Sequence, residues 1–300
     1  MKVAVIGLGA MGMGIAKSSL RGGLDTVGCD VSEAKRATFS KAGGGIALTP
    51  AEAAIDADCF AIVVVNQEQT EAVLFGENGA ATTLPKGAVV LGCATVPPAY
   101  ACDVSSRLGS MELLCLDAPI SGGTVKAANG HLSVMGSGAP EAYARARLFL
   151  DAIAENVFEL GDEAGPGSTM KMINQLLVGV HIAAAMEAVA LGIKSGLDVE
   201  TLFKVITVSA GNSWIFEDRV PHVLNNDYTP KSAVDIFVKD LGIVIETSKR
   251  EGVPLPVSAA AYKQFIAAKD MGLGGEDDAA LIKVYTALGG IEVPDKNEDA

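Results

Sequence analysis

"MKVAVIGLGAMGMGIA", residues 1–16, breaks an apolar run with four glycines, and the spacing of those glycines decides the fold. Gly7, Gly9 and Gly12 stand as G-x-G-x-x-G directly after a strand-like stretch and at the start of a helix-like one. In that setting the first glycine permits a tight turn, the second lets the backbone approach a pyrophosphate, and the third lets helix and strand pack closely. The N–H groups along Gly9, Ala10, Met11 and Gly12 are then donors for phosphate oxygens. Asp30 ends the next apolar run, eighteen residues after Gly12. A carboxylate there accepts hydrogen bonds from the adenosine ribose hydroxyls; capping of the following helix is the plain alternative. Because it also repels a 2′-phosphate, the expected cofactor is NAD rather than NADP. Lys35 and Arg36, on the following helix, are expected to point to solvent.

Working outward, "KVAVIG", "DTVGCD", "CFAIVVVN", "AVVLGCAT" and "ELLCLDAPI" are continuous apolar runs, the pattern of strands buried on both faces. Helix-like stretches such as "SEAKRATFSKAG" and "PPAYACDVSSRLG" alternate with them, which predicts βαβ units, a parallel sheet and an α/β fold. After about residue 160 the strand-like runs stop. "GSTMKMINQLLVGVHIAAAMEAVALGIKSG" (167–196) is apolar nearly all round and predicts a long buried helix ending at Gly196. Three later stretches, beginning at Asp198, Ser232 and Pro256, also predict helices, so the second half is expected to be all-α. Gly and Pro concentrate over 160–168, placing the domain boundary between 1–163 and 164–300, and "VPDKNEDA" (293–300) is expected to be a frayed acidic tail.

With 300 residues, 49% of them apolar, the chain is long enough for a sizeable core or two. Its net charge of −13 argues against nucleic acid or an anionic membrane as partner. Cys29, Cys59, Cys93, Cys102 and Cys115 form an odd set without a CxxC pair, which fits reduced thiols in a cytoplasm. The apolar stretch 176–193 approaches membrane-spanning length but carries His181 and Glu187, so it is read as buried inside protein. The scattered His131, His181 and His222 have no metal-ligand spacing.

Three polar groups interrupt the apolar background. In "DAPISGGT" (117–124) Ser121, Gly122 and Gly123 can offer a hydroxyl and backbone N–H groups to a carboxylate, or form an ordinary glycine-rich turn. Lys171 and Asn174 lie three apart on one helix face, with Gln175 beside them. A desolvated lysine there has a lowered pKa and can exchange a proton with a hydroxyl; a lysine snorkelling to solvent is the alternative. Lys239 interrupts an apolar helix, either functionally or as an exposed i, i+4 pair with Asp235.

Taken together, "GLGAMG" (7–12), "DAPISGG" (117–123), "GSTMKMINQ" (167–175) and "KDLGIV" (239–244) resemble the β-hydroxyacid dehydrogenase family, and the resemblance covers nearly the whole chain. It implies a Rossmann-type, doubly wound N-terminal domain, an all-α C-terminal domain joined by a long helix, and an active site between them. It further implies Lys171 as catalytic acid/base with Asn174 positioning it and the substrate, and Ser121, Gly122 and Gly123 as the carboxylate site. Thr95, Asn66 and Lys239 fall where the family lines the cofactor cleft, Lys239 and Gln175 where it meets substrate. The family commonly has two adjacent asparagines after the lysine, where this chain has Asn174 and Gln175, and often an acid and a serine before Thr95, where this chain has "LGCAT".

Within the family the stretch 210–244 looks most like the branch acting on four-carbon sugar acids, with Asn212, Ser213 and Arg219 as candidates to bond a polyhydroxylated chain; helix capping and surface pairing are the alternatives. The expected reaction is NAD-dependent oxidation of a small hydroxy acid by a homodimer or homotetramer. A family member acting on 3-hydroxyisobutyrate or tartronate semialdehyde is the near rival, and a catalytically silent NAD-binding sensor or scaffold the distant one.

Overall fold

The structure is a computed structural model that describes residues 1–293; the expected tail lies almost wholly outside the described residues. The chain divides into two compact units, Met1–Lys171 and Met172–Ala300.

In the first unit, strands β1 (Lys2–Ile6), β2 (Asp25–Cys29), β3 (Gly45–Ala47), β4 (Cys59–Ile62), β5 (Val89–Gly92) and β6 (Leu114–Asp117) form one parallel sheet in the order β3-β2-β1-β4-β5-β6. Helices α1 (Ala10–Arg21), α2 (Glu33–Lys41), α3 (Pro50–Ala54), α4 (Gln67–Phe75) and α5 (Pro98–Ser110) connect them. Side chains of β1 alternate between two separate cores: Val3 and Val5 join Leu91 and Leu116 on one face, Ala4 and Ile6 join Phe60 and Val90 on the other. Burial on both faces is why these strands read as continuous apolar runs. The strand order reverses direction between β1 and β4, the switch point outside which ligands bind in open α/β sheets.

The run "ELLCLDAPI" does not continue as one strand. It breaks after Asp117, because Pro119 has no N–H for the ladder, and β7 (Ile120–Ser121) leaves for a second, three-stranded sheet with β8 (Leu132–Gly136) and β9 (Ala154–Glu159). Helices α6 (Gly123–Asn129) and α7 (Pro140–Ile153) complete the unit.

The last helix of the first unit, α8 (Pro166–Lys194), runs on into the second, which adds α9 (Val199–Ile206), α10 (Trp214–Leu224), α11 (Val234–Glu251), α12 (Pro256–Asp270), a 3₁₀ turn at Asp278–Leu281 and α13 (Ile282–Gly289). Their core centres on Ile182, Met186, Leu241 and the stacked Phe237–Phe265 pair, centroids 5.3 Å apart. A Cβ on Gly179 of α8 would sit 3.0 Å from Leu241, so this glycine lets α8 and α11 touch. The expected stop holds: α8 ends at Lys194, and Gly196 turns away at φ +82°. Within the single chain α8 is buried only in part. Ile173, Leu177 and Leu191 are exposed along it, because the helices of this unit cover only part of its circumference.

Candidate functional site

Around the glycine loop each glycine answers to something different. Gly7 adopts φ +92°, and a Cβ on it would strike the Val63 carbonyl at 2.3 Å. A Cβ on Gly12 would strike the Gly7 carbonyl at 1.7 Å. These two are required by the protein itself. Gly9 is not: its φ is −68° and a Cβ there would meet nothing within 4 Å. It is the N-cap of α1, no side chain caps the helix, and the loop stands at the β1–β4 switch point. Open space over uncapped helix N–H groups fits a pyrophosphate, so the chain's own geometry accepts a dinucleotide here. Gly9→Ala is expected to fold as the wild type does, with an unchanged melting midpoint, while its NAD affinity by calorimetry falls about tenfold or more. Unchanged affinity would remove Gly9 from the site.

Asp30 follows β2 and is tied to this loop. One carboxylate oxygen accepts the Leu8 N–H at 2.7 Å, the other the Ser32 N–H at 2.8 Å. Lys35 is exposed as expected, while Arg36 is only partly so, which corrects the expectation for Arg36 alone. The Lys35 ammonium lies 3.6 Å from the Asp30 carboxylate and the Arg36 guanidinium donates to the Asp30 carbonyl, since one turn of α2 brings both cations back over the end of β2. Asn66 caps α4, its side-chain oxygen accepting the Gln69 N–H at 2.9 Å, and Thr95 is half-buried in the loop between β5 and α5.

Ser121 ends β7, followed by Gly122 and Gly123 at φ +134° and +73°, backbone that other residues adopt only under strain. Gly123 opens α6, and α6 is packed closely on α1: a Cβ on Gly14 would lie 2.8 Å from the Ala127 carbonyl carbon, and the Ser18 hydroxyl donates to the Ala127 carbonyl at 2.9 Å. Asp117, at the end of β6, is buried and its carboxylate accepts four hydrogen bonds from Ser137 and the segment Gly165–Ser168. Lys171 follows one turn later on α8 and is only 9% exposed, so it does not snorkel into solvent.

In the second unit the Asn174 amide donates to the Gln175 side-chain oxygen at 3.0 Å. The Gln175 amide donates in turn to the Asp240 carboxylate, which also meets the Lys239 ammonium. Gln175 and Asp240 are both buried. Asp235 lies 3.6 Å from Lys269. Asn212 stands outside this set, donating to the Thr207 carbonyl and to Glu217. Ser213 caps α10 by accepting the Phe216 N–H at 3.0 Å. Arg219 is corrected from substrate ligand to structural cation. It is 6% exposed, with its Nε on Asp278, a second contact to Asp218, and Asp277 3.8 Å away. Sequence reading missed Asp117, Asp240, Asp277 and Asp278 as buried anchors; adjacent acids ahead of the apolar "AALI" were the available signal for the last two.

Burial pushes the thiol of Cys29 up to about 11 and those of Cys59, Cys93 and Cys115 up to about 12, so these four stay protonated and are not nucleophiles. No group of three or more His, Cys, Asp or Glu suited to a metal ion occurs among the described residues.

Comparison with known proteins accords with this geometry. Residues 2–161 match the family described as the NAD-binding domain of 6-phosphogluconate dehydrogenase, and residues 165–285 the one described as NAD-binding of NADP-dependent 3-hydroxyisobutyrate dehydrogenase. The chain is 53% identical over 296 residues to an L-threonate dehydrogenase of Cupriavidus necator, covering 99% of both chains. It is 46% identical to an L-threonate dehydrogenase of Escherichia coli K12, covering 95% of each. Among solved structures, a 3-hydroxyisobutyrate dehydrogenase from Salmonella typhimurium superposes with a TM-score of 0.91 at 46% identity, covering 95% of this chain and 99% of the other.

Proposed function

Because the chain belongs to the 3-hydroxyisobutyrate dehydrogenase-like family of NAD-dependent hydroxyacid dehydrogenases, we propose that it oxidises L-threonate to the corresponding 2-oxo acid, with Lys171 as general base. The observation that carries the chemistry is the burial of Lys171 at the start of α8, three residues from an Asn174 amide held by the Gln175–Asp240–Lys239 chain of contacts. The names of the two threonate relatives support the substrate.

NAD, when bound, would supply the acceptor for the hydride of the carbinol carbon. The glycine loop and Asp30 hold its pyrophosphate and ribose, and the Asp30 carboxylate disfavours a 2′-phosphate. The hydroxyl and N–H groups of Ser121, Gly122 and Gly123 hold the acid's carboxylate, Asn174 orients the hydroxyl, and a neutral Lys171 takes the hydroxyl proton onto Nζ as the C=O bond forms. In the reverse direction the same ammonium returns the proton. Thr95 is assigned to the cofactor side of the first unit, and Lys239 stands on Asp240 in the second. We place the enzyme in the cytoplasm as a homodimer or homotetramer, with the apolar stripe Ile173–Leu177 of α8 covered by a second copy.

The test is reduced-nicotinamide formation with NAD and with NADP across L-threonate, D-threonate, D-erythronate, 3-hydroxyisobutyrate and glycerate. We expect L-threonate with NAD to give the highest kcat/KM. Faster turnover of 3-hydroxyisobutyrate would favour the reading that the name of the Salmonella relative suggests. Silence across the panel with NAD binding intact would favour a sensor.

A further inference from the structure

We infer that Asp117 is a positioning residue for the reaction, fixing the start of α8 so that Lys171 keeps one place relative to the Ser121–Gly123 carboxylate loop; this rests on the proposed role of Lys171.

A helix beginning with Pro166 and preceded by glycine has no local side chain to satisfy its first N–H groups, and α8 takes its partners from another part of the sheet. One Asp117 carboxylate oxygen accepts the Gly165 N–H at 3.0 Å and the Ser168 N–H at 2.8 Å, and the other accepts the Ser168 hydroxyl at 2.6 Å. The Ser137 hydroxyl donates to the same carboxylate at 3.2 Å and accepts the Gly167 N–H at 2.9 Å. Three N–H donors of the helix entry, those of Gly165, Gly167 and Ser168, therefore end on two side chains, Asp117 of β6 and Ser137 just after β8. The carboxylate is 3% exposed, so the site is dry and each bond is charge-assisted. Its sign also suits the positive end of a helix dipole.

Gly167 shows how tightly the seat is drawn. A Cβ there would lie 2.5 Å from the carbonyls of both Asp117 and Met135. Asp117 is in turn fixed by paired backbone bonds to Ser137, at 2.9 and 2.8 Å, and four residues later the same strand path reaches Ser121. One residue thus joins the backbone that carries the carboxylate loop to the helix that carries the base, three positions after Ser168. Proton transfer needs donor and acceptor within hydrogen-bond reach, so a small shift of this seat is felt in turnover before it is felt in binding.

Ser168→Ala removes one bond to Asp117 without removing its charge and is the first variant to make; Asp117→Asn follows where it folds. We expect Ser168→Ala to retain NAD affinity by calorimetry and the KM for the acid within about twofold, with kcat down about tenfold. The second arm is a cycle with Lys171→Ala. Because Ser168 acts through the lysine, Ser168→Ala is expected to change the residual rate of Lys171→Ala less than twofold. A lowered melting midpoint with kcat within twofold of wild type would overturn the inference and leave Asp117 as a structural cap. An equal tenfold loss in both backgrounds would also overturn it. If Lys171→Ala itself keeps turnover, the general-base reading falls and this inference falls with it, an outcome visible in the single variant alone.

Discussion

Lys171→Ala lowers kcat by about a thousandfold with the preferred acid while NAD affinity stays within about twofold. The expectation follows from where the side chain sits. A lysine 9% exposed at the start of α8 has given up most of its hydration, and with the side chain gone no other residue assigned to the site supplies an amine at that helix position. The glycine loop and Asp30 lie elsewhere on the sheet and are untouched, so cofactor binding is the internal control. Added methylamine is expected to restore part of the rate, since a small primary amine can occupy the vacated space and accept the proton. Stopped-flow measurement of the hydride step checks both, and a variant within tenfold of wild type would remove Lys171 from the chemistry.

The second large effect concerns stability and is asymmetric. Arg219→Leu is expected to destabilise the helical unit by about 3–5 kcal/mol, because it leaves the fully buried carboxylates of Asp277 and Asp278 side by side without their cation, while Asp218 keeps Lys231. Asp278→Asn is expected to cost about 1 kcal/mol or less, because Asp277 and Asp218 still neutralise the guanidinium. The pH dependence separates the two further. Burial outweighs the attraction of Arg219 and raises the Asp278 carboxyl from 3.8 to about 6. The folded chain therefore binds a proton there, between about pH 4 and 6, that the unfolded chain has released. That contribution is complete below the unfolded value and is lost as pH rises through about 6. Urea denaturation from pH 4 to 7 should show the wild type losing stability relative to Asp278→Asn across this window, and parallel curves would refute the assignment.

What is legible in the sequence depends on the range over which partners act. The parallel sheet was legible because β1, β4 and β5 are buried on both faces and so are apolar without interruption. The glycine loop was legible because its three glycines fall within six residues, and the closest constraint, Gly12 against the Gly7 carbonyl, is local in sequence. β3 and β9 were not, since one has three residues and the other no buried residue at all, leaving no apolar run to see. The buried polar anchors were invisible for a different reason. Asp117 meets Ser168 across 51 positions, Gln175 meets Asp240 across 65 and Arg219 meets Asp278 across 59, and no local spacing encodes such pairs. Gln175 is instructive: where the family commonly has asparagine, the extra methylene lets its amide bond Asp240 while its oxygen takes the Asn174 N–H.

The close seating of α1 on α6 through Gly14 and Ser18 has a consequence for alignment. The amino end of one helix adjoins the glycine loop proposed for the pyrophosphate and the amino end of the other the Ser121–Gly123 loop proposed for the carboxylate, so on that proposal one closely packed two-helix block bears both docking points. Tolerance between them is set when the polypeptide folds, not when ligands arrive, and the encounter of hydroxy acid with nicotinamide begins with that part of its orientational entropy already spent.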